Sequence, residues 1–163
     1  MNLTLTPPQT REVWALLSTI SDPEIPVLTI TDLGMVRSVK HDGRGWRIGF
    51  TPTYSGCPAT ETLMAEIRTV LESRGYGPVE VTVQLHPAWT TDWMSPDARR
   101  RLREYGISPP VGHSCHALMP ERVRCPRCAS VQTQLISEFG STACKALWRC
   151  ESCREPFDYF KCI

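Results

Sequence analysis

Residues 125–153, CPRCASVQTQLISEFGSTACKALWRCESC, decide the fold of the C-terminal part of this chain. The segment begins and ends with a pair of cysteines in Cys-x2-Cys spacing, and 21 residues separate the two pairs. Each pair presents two thiolates from one tight turn, and two such turns close a tetrahedron around a metal ion. The spacing therefore predicts a zinc ribbon in which Cys125, Cys128, Cys150 and Cys153 bind Zn2+.

Three short strands are predicted in this part of the chain, at Val131–Ile136, Ala146–Arg149 and Phe157–Phe160. A module of about 45 residues buries too little apolar surface to fold without a metal or a disulfide, so the metal has a structural role. Four thiolates suit zinc, but they equally suit a single iron ion or an iron–sulfur cluster. Cys144 and Cys162 flank the second pair; we interpret them as small buried residues, with alternative ligands as the competing interpretation.

The distribution of cysteines supports metal binding over disulfide formation. Seven of the eight cysteines lie in the last 49 residues, and only Cys57 precedes residue 115. The first ten residues carry no signal-peptide core, and no apolar run approaches the roughly 18 residues of a membrane span. We therefore expect a cytoplasmic protein, where clustered cysteines are typical of metal sites.

Composition indicates an ordinary folded chain. The 163 residues are 41% hydrophobic and 21% charged, and the formal net charge is +1. This near-neutral balance favours neither a nucleic acid nor a membrane surface as partner. A nucleic-acid-binding ribbon remains an alternative, but residues 115–163 carry seven basic against five acidic residues, too few for phosphate-dominated affinity.

The part of the chain before the ribbon predicts an α+β sandwich with helices on one face of a sheet. Its order is helix, two strands, helix, strand, with the two adjacent strands joined as a hairpin through Asp42–Gly45. The predicted elements are a helix from Pro7 that stops before Pro23, strands Met35–Val39 and Trp46–Phe50, a helix Thr60–Ser73 and a strand Val79–Leu85.

A third helix is predicted after this sandwich. Ser95, Pro96 and Gly106 predict a short capped helix at Pro96–Tyr105, after a segment with indoles at Trp89 and Trp93. We assign residues 1–112, including this segment and helix, to the first domain, and residues 118–163 to the ribbon.

Cys57 is the candidate reactive residue of the first domain. It precedes a helix start and is flanked by Gly56 and Pro58, which suggest a rigid turn with close backbone approach. Backbone N–H groups and the helix dipole at such a position are expected to lower the pKa of the thiol. Cys57 can therefore be a nucleophile, a redox thiol or a metal ligand; otherwise it is a small buried residue.

The remaining candidate groups carry weaker signals. Asp22, Glu24 and Asp32 beside Pro and Gly are typical of acids that bond loop backbone. Arg99, Arg100, Arg101 and Arg103 form a basic patch that is either solvated or docks an acidic partner. His113, Cys115 and His116 are soft ligands at the junction, which we interpret as incidental to a hinge loop.

Three motifs of the first domain resemble the MIP18 (DUF59) family of iron–sulfur assembly proteins. They are Asp22-Pro23-Glu24-Ile25-Pro26, Asp32-Leu33-Gly34 and Gly56-Cys57-Pro58. With the stretches at residues 141–147 and 156–162 of the C-terminal tail, nearly the whole chain resembles the PaaD family, the D subunits of phenylacetyl-CoA epoxidase systems. His86-Pro87-Ala88-Trp89 departs from the commoner Asp-Pro-Pro-Trp pattern of the wider family, so His86 receives no ligand role.

The resemblance implies a MIP18-like α/β sandwich followed by a zinc ribbon, and a maturation role without turnover. It implies that Cys57 is a transient ligand of iron or of a labile Fe–S cluster, supported by the loop residues Asp22, Glu24, Asp32, Gly56 and Pro58. The implied partners are the oxygenase and reductase subunits of the epoxidase, the iron–sulfur assembly machinery, and a second copy of the chain. The alternative is a thiol-dependent enzyme that uses Cys57 as nucleophile or redox thiol.

Overall fold

The computed structural model describes residues 7–111 and 119–161, which form two compact units divided between Trp89 and Thr90. No helix in these described ranges is long and apolar enough to cross a membrane. In chain order the elements are α1 (Pro7–Leu17), β1 (Val36–His41), β2 (Trp46–Phe50), α2 (Ala59–Glu72), β3 (Val79–Val83), a 3-10 turn (Thr91–Trp93), α3 (Pro96–Tyr105), β4 (Ile107–Ser108), β5 (Thr133–Ser137), β6 (Lys145–Cys150) and β7 (Pro156–Phe160).

The first unit contains a three-stranded sheet in the order β1-β2-β3. β1 and β2 pair as the predicted antiparallel hairpin, whereas β2 and β3 run parallel and are connected through α2. Parallel neighbours need such a crossover because a tight turn can join only antiparallel strands. α1 packs against α2 and β1, and α2 packs against β3. The predicted α+β sandwich is therefore confirmed.

Helical spacing accounts for the core of the first unit. Leu63, Ile67 and Leu71 recur every four residues along α2 and are all fully buried, together with Val13 and Leu17 of α1. The strand β3 is shorter than predicted, because it ends at Val83. The pairing of β3 with β2 ends at Val83, and Leu85, two residues further on, is 57% exposed.

The second unit contains a four-stranded sheet in the order β4-β7-β6-β5. β5, β6 and β7 are antiparallel neighbours, and β4 pairs in parallel with β7. One cluster of buried residues in this sheet is small and contains Val123, Cys125, Ala146, Trp148, Cys150, Phe157 and Tyr159. Two of these seven residues are cysteines of the Cys-x2-Cys pairs.

The division between the units differs from the boundary we predicted near residue 112. The predicted helix Pro96–Tyr105 is present with its caps: Ser95 Oγ accepts the N–H of Ala98, and Gly106 adopts φ +100°. That glycine leads directly into β4, whose two residues hydrogen-bond with β7. α3 therefore lies in the same unit as the ribbon. Gly112, His113, Cys115, His116 and Cys162 lie outside the described residues.

Candidate functional site: a four-cysteine centre and a separate buried thiol

The four cysteines of the two Cys-x2-Cys pairs converge at one end of the ribbon. Their sulfur atoms all lie within 4.8 Å of one another. Cys125 Sγ is 3.8 Å from Cys153 Sγ, and Cys128 Sγ is 3.5 Å from Cys150 Sγ. A Zn–S distance of about 2.3 Å places the sulfurs of a tetrahedral site about 3.8 Å apart. The spacing of the sulfurs therefore fits a tetrahedral metal ion.

The two cysteine pairs adopt the same local turn. The residue after each second cysteine has a left-handed backbone, with φ 63° at Ala129 and 67° at Arg154. Residues other than glycine rarely adopt this backbone conformation, so its recurrence in both turns indicates that the two turns share a geometric requirement. Ser130 Oγ and Ser152 Oγ, one from each turn, are 2.8 Å apart and join the turns by a hydrogen bond.

A backbone hydrogen bond stabilises the thiolate form of Cys150, one of the four cysteines. The N–H of Cys153 donates to Cys150 Sγ over 3.5 Å. This bond, with a smaller contribution from Cys128, lowers the pKa of the Cys150 thiol to about 6. Metal ligation requires the thiolate, so the backbone favours the ligating form.

Cys144 does not belong to this set of sulfurs. It is buried at the start of β6, whereas Cys150 ends that strand, which places them roughly 20 Å apart at about 3.3 Å per residue. Its thiol instead lies 3.0 Å from Thr142 Oγ1. The structure therefore separates Cys144 from the four-cysteine centre, as expected for a buried core residue.

Cys57 occupies a turn immediately before α2 and is 8% exposed. Its N–H donates to the carbonyl of Tyr54, and its own carbonyl accepts the N–H of Thr60. The N–H of Ala59 and the Tyr54 side chain hydrogen-bond with the thiol. Tyr54 was not predicted as part of this site; its place three residues before Cys57 in a tight turn was the available signal.

The prediction that the pKa of Cys57 is lowered is wrong, because the pKa is raised above its ordinary value. Burial raises the pKa of the thiol, and the nearby carboxylates of Glu24 and Asp22 raise it further. The N–H of Ala59 at the helix start acts in the expected direction but is outweighed. Cys57 is therefore a protonated thiol at neutral pH rather than an activated thiolate.

Of the two residues beside Cys57, Gly56 does not have the role inferred from its type, whereas Pro58 does. A Cβ at Gly56 would meet nothing closer than the Tyr54 ring at 3.9 Å, so no close approach requires glycine there. Gly56 is also absent from the glycines with a left-handed backbone. Pro58 is the N-cap of α2, with φ −66° and ψ −22°. The rigidity of this turn thus comes from Pro58 and its hydrogen bonds.

Two of the three predicted loop acids organise the backbone between α1 and β1. Asp22 is buried, and its Oδ1 accepts the N–H groups of Glu24 and Ile25 at 2.8 and 3.0 Å. Asp32 Oδ2 accepts the N–H and the hydroxyl of Thr29 at 2.9 and 2.7 Å. The loop thereby brings Asp22 and Glu24 near Cys57.

Around Cys57 the fold supplies no complete ligand set. In residues 7–111 and 119–161, the four ribbon cysteines are the only group of three or more Cys, His, Asp or Glu residues whose ligating atoms are placed to hold a metal ion. The two thiol sites are therefore of different kinds. One presents four thiolates, and the other presents a single sulfur with acidic neighbours.

The basic patch on α3 is largely neutralised within its own unit. Arg99 donates to the carbonyls of Thr91 and Pro110. Arg100 and Arg101 pair with acids of the same helix, one of which is Asp97. Of the four arginines only Arg103 keeps a guanidinium without a hydrogen bond or ion pair to the described residues. The patch as a whole is thus not a free cationic surface.

The indole of Trp89 has a structural role. It is buried, and its Nε1 donates to the carbonyl of Leu33 over 2.8 Å. This bond ties the end of the first unit to the Asp32–Gly34 loop. His86 is exposed.

Comparison with known families gives two matches that follow each other along the chain. Residues 10–85 match the family model described as iron–sulfur cluster assembly protein. Residues 113–161 match the PaaD zinc beta ribbon domain. The first match covers α1 to β3 and includes Cys57, and the second covers the four-cysteine centre.

Relatives of known name agree with these matches. The chain is 75% identical over 160 residues to the Escherichia coli (strain K12) protein named as the putative D subunit of 1,2-phenylacetyl-CoA epoxidase, covering 98% of this chain and 97% of that one. It is 34% identical over 97 residues to "Fe-S protein maturation auxiliary factor" of Porphyromonas gingivalis, covering 58% of this chain and 91% of that protein.

Solved structures resemble the first part of the chain. The crystal structure of a DUF59 domain of unknown function from Bacillus anthracis matches with a TM-score of 0.54 and 29% identity, covering 57% of this chain and 90% of that one. A conserved hypothetical protein of Thermotoga maritima matches with a TM-score of 0.50 and 25% identity, covering 63% and 98%. The fold is DUF59-like with a C-terminal zinc ribbon, and the chain belongs to the PaaD family.

Proposed function

We propose that this protein is a maturation factor for a multicomponent phenylacetyl-CoA 1,2-epoxidase, and that it handles iron or an iron–sulfur cluster as cargo. The observation that carries the proposal is the 75% identity with the E. coli protein over nearly the full length of both chains. The iron–sulfur assembly match across residues 10–85 supports the type of cargo.

In this proposal Cys57 is the transient ligand of the cargo. A carrier must release its metal, so it should contribute few ligands of its own. Cys57 fits this requirement because it is a single thiol with no complete ligand set around it among the described residues. The remaining coordination positions are supplied by the client protein or by a second copy of this chain.

The raised pKa of Cys57 suits such reversible binding. A thiol that is protonated at neutral pH must lose its proton when metal binds, which weakens the apparent affinity. Proton uptake then accompanies release of the cargo. The carboxylates of Asp22 and Glu24 offer oxygen atoms near the thiol, and a positive ion there would be stabilised by their charge.

The ribbon has the complementary role of a permanent structural site, with zinc as the proposed ion. Cys125, Cys128, Cys150 and Cys153 would hold it with four thiolates, which leaves no open position for a substrate. When bound, the ion supplies folding free energy to the small ribbon core and performs no chemistry.

A thiol-dependent enzyme is the less favoured function. The first unit contains no second cysteine to resolve a disulfide on Cys57. The groups that act on this thiol include two carboxylates that raise its pKa, and a nucleophile needs the opposite shift. We therefore propose that the protein has no turnover of its own.

The proposal is tested by measuring epoxidase activity in cells that carry Cys57→Ala in this protein. We expect activity to be lost while the epoxidase subunits remain at normal abundance. The matched control is Cys144→Ala, which removes another buried thiol from outside the four-cysteine centre and should preserve activity. Full activity with folded Cys57→Ala protein would refute the carrier role.

A further inference from the structure

The second unit contains a groove that the proposed function does not use. Its volume is about 270 Å3, and it is bordered by the end of α3, by β4 with the residues that follow it, and by the first cysteine turn. The lining residues are Arg103, Ser108, Pro109, Pro110, Val111 and Arg124, together with the metal-site residue Cys125.

Apart from the metal ligand Cys125, the charged side chains among the described residues that line this groove are Arg103 and Arg124. Neither arginine has an acidic partner within 4.0 Å among residues 7–111 and 119–161. The other three arginines of α3 are engaged with carbonyls or with acids of their own helix. Two unneutralised guanidinium groups thus line one concave surface and favour a ligand with carboxylates or phosphates.

The neutral walls of the groove offer few hydrogen bonds to a ligand. Pro109 and Pro110 have no N–H groups. The N–H of Val111 donates to the Tyr159 hydroxyl, and Ser108 Oγ donates to a neighbouring backbone carbonyl. A small phosphate site is normally a nest of free backbone N–H groups, which the described lining of this groove lacks. Its walls instead present apolar surface, and Val111 is 55% exposed.

We propose that this groove binds an acidic segment of a partner protein in extended conformation. Carboxylates of the segment pair with Arg103 and Arg124, and an apolar side chain packs against Pro110 and Val111. This assigns the partner-binding surface of the maturation factor to the second unit, and it depends on the proposed function only for the partner's identity.

The groove is coupled to the four-cysteine centre by its lining. Arg124 directly precedes Cys125, and its Nη1 donates to the carbonyl of Ala129 over 2.8 Å, within the same turn. The turn is shaped by its two cysteines, so metal loss displaces this wall. Binding of the segment therefore requires the metal, although the charged contacts are made by the two arginines and not by a cysteine.

The test uses the metal-loaded full chain and a fluorescein-labelled peptide, Gly-Glu-Leu-Glu-Glu-Leu-Glu-Gly, with its all-glutamine counterpart as reference. Fluorescence anisotropy should show that Arg103→Glu and Arg124→Glu each weaken binding by about tenfold or more. The matched control is Arg149→Glu, an exposed charge reversal on β6 outside the groove, which should change affinity less than about twofold. Metal removal with a chelator should abolish binding.

Four results would overturn the proposal. They are equal weakening by all three charge reversals, no preference for the glutamate peptide over its glutamine counterpart, and displacement of the peptide by inorganic phosphate at equal concentration. The fourth is conversion of a dimer to a monomer by Arg103→Glu without peptide, which would make the groove an interface between copies. Cys57→Ala should bind the peptide normally, so failure of the carrier role and failure of the groove are distinguishable.

Discussion

The two thiol sites of this chain differ in how many ligands the fold itself supplies. In the ribbon, two cysteine turns bring four sulfurs within 4.8 Å of one another, and each turn is followed by a residue with a left-handed backbone. In the first unit, one helix-start turn presents Cys57 alone, beside two carboxylates that oppose its ionisation. A complete set of ligands favours retention of a metal, and an incomplete set favours exchange. The comparison therefore separates a structural role from a transfer role within one chain.

The largest expected effect is loss of the ribbon when its metal is lost. Cys150→Ser removes one of four thiolates, and structural zinc contributes about 10–16 kcal/mol to small domains of this kind. Hydrogen exchange should show loss of protection in β5, β6 and β7, while the strands of the first unit stay protected. Cys144→Ser is the control and should keep the metal. Unchanged protection in the ribbon of Cys150→Ser would remove the case for a structural metal.

A core substitution in the first unit should destabilise that unit and leave the ribbon and its metal intact. Ile67 is fully buried on α2, and Ile67→Ala should lower the free energy of unfolding of that unit by about 2–5 kcal/mol. Chemical denaturation measures this change. Metal content of the ribbon should be unaffected, because the four ligands belong to the other unit. Loss of metal with Ile67→Ala would show that the two regions do not fold independently.

A smaller effect is expected at Gly56, beside the reactive thiol. Its backbone is outside the left-handed region and a Cβ has room, so Gly56→Ala should stabilise the first unit by about 0.4–1 kcal/mol. Thermal unfolding gives the sign of the change. Destabilisation by more than about 1 kcal/mol would mean that the turn before α2 needs glycine after all.

The smallest change concerns the reactivity of Cys57 alone. Because the Glu24 carboxylate raises the pKa of this thiol, Glu24→Gln should lower that pKa, increase the thiolate fraction at neutral pH and speed alkylation. Mass spectrometry of the Cys57 peptide measures the rate. Glu66→Gln, an exposed change on α2, is the control. An unchanged rate in Glu24→Gln would contradict the electrostatic account of this site.

Sequence alone predicted the convergence of the ribbon ligands better than the state of Cys57. The Cys-x2-Cys spacing is local, so each pair dictates its own turn and the strands between them bring the turns together. The pKa of Cys57 depends instead on Glu24 and Asp22, which lie 33 and 35 residues earlier and approach only in the folded chain. The N–H of Ala59 at the helix start lowers the pKa of Cys57, as predicted. Burial and the charges of Glu24 and Asp22 outweigh this contribution, so the net shift of the pKa is upward.

The membership of α3 in the second compact unit could not be predicted from the sequence, for a related reason. Ser95 and Gly106 correctly predicted the two ends of α3. The two residues of β4 are too few to show strand periodicity, and only their pairing with β7 assigns the helix to the second unit. Likewise, the clustered arginines on α3 indicate a basic patch, yet hydrogen bonds of Arg99, Arg100 and Arg101 leave little of that charge free.

The most direct test of the division between the two thiol sites is metal analysis of anaerobically prepared wild-type, Cys57→Ala and Cys150→Ser proteins after incubation with ferrous iron and sulfide. We predict one zinc per chain in wild type and Cys57→Ala, and iron with visible absorption only where Cys57 is present. Cys150→Ser should lose zinc and keep iron at Cys57. Iron and colour that persist in Cys57→Ala and vanish in Cys150→Ser would place the cluster in the ribbon and contradict the account.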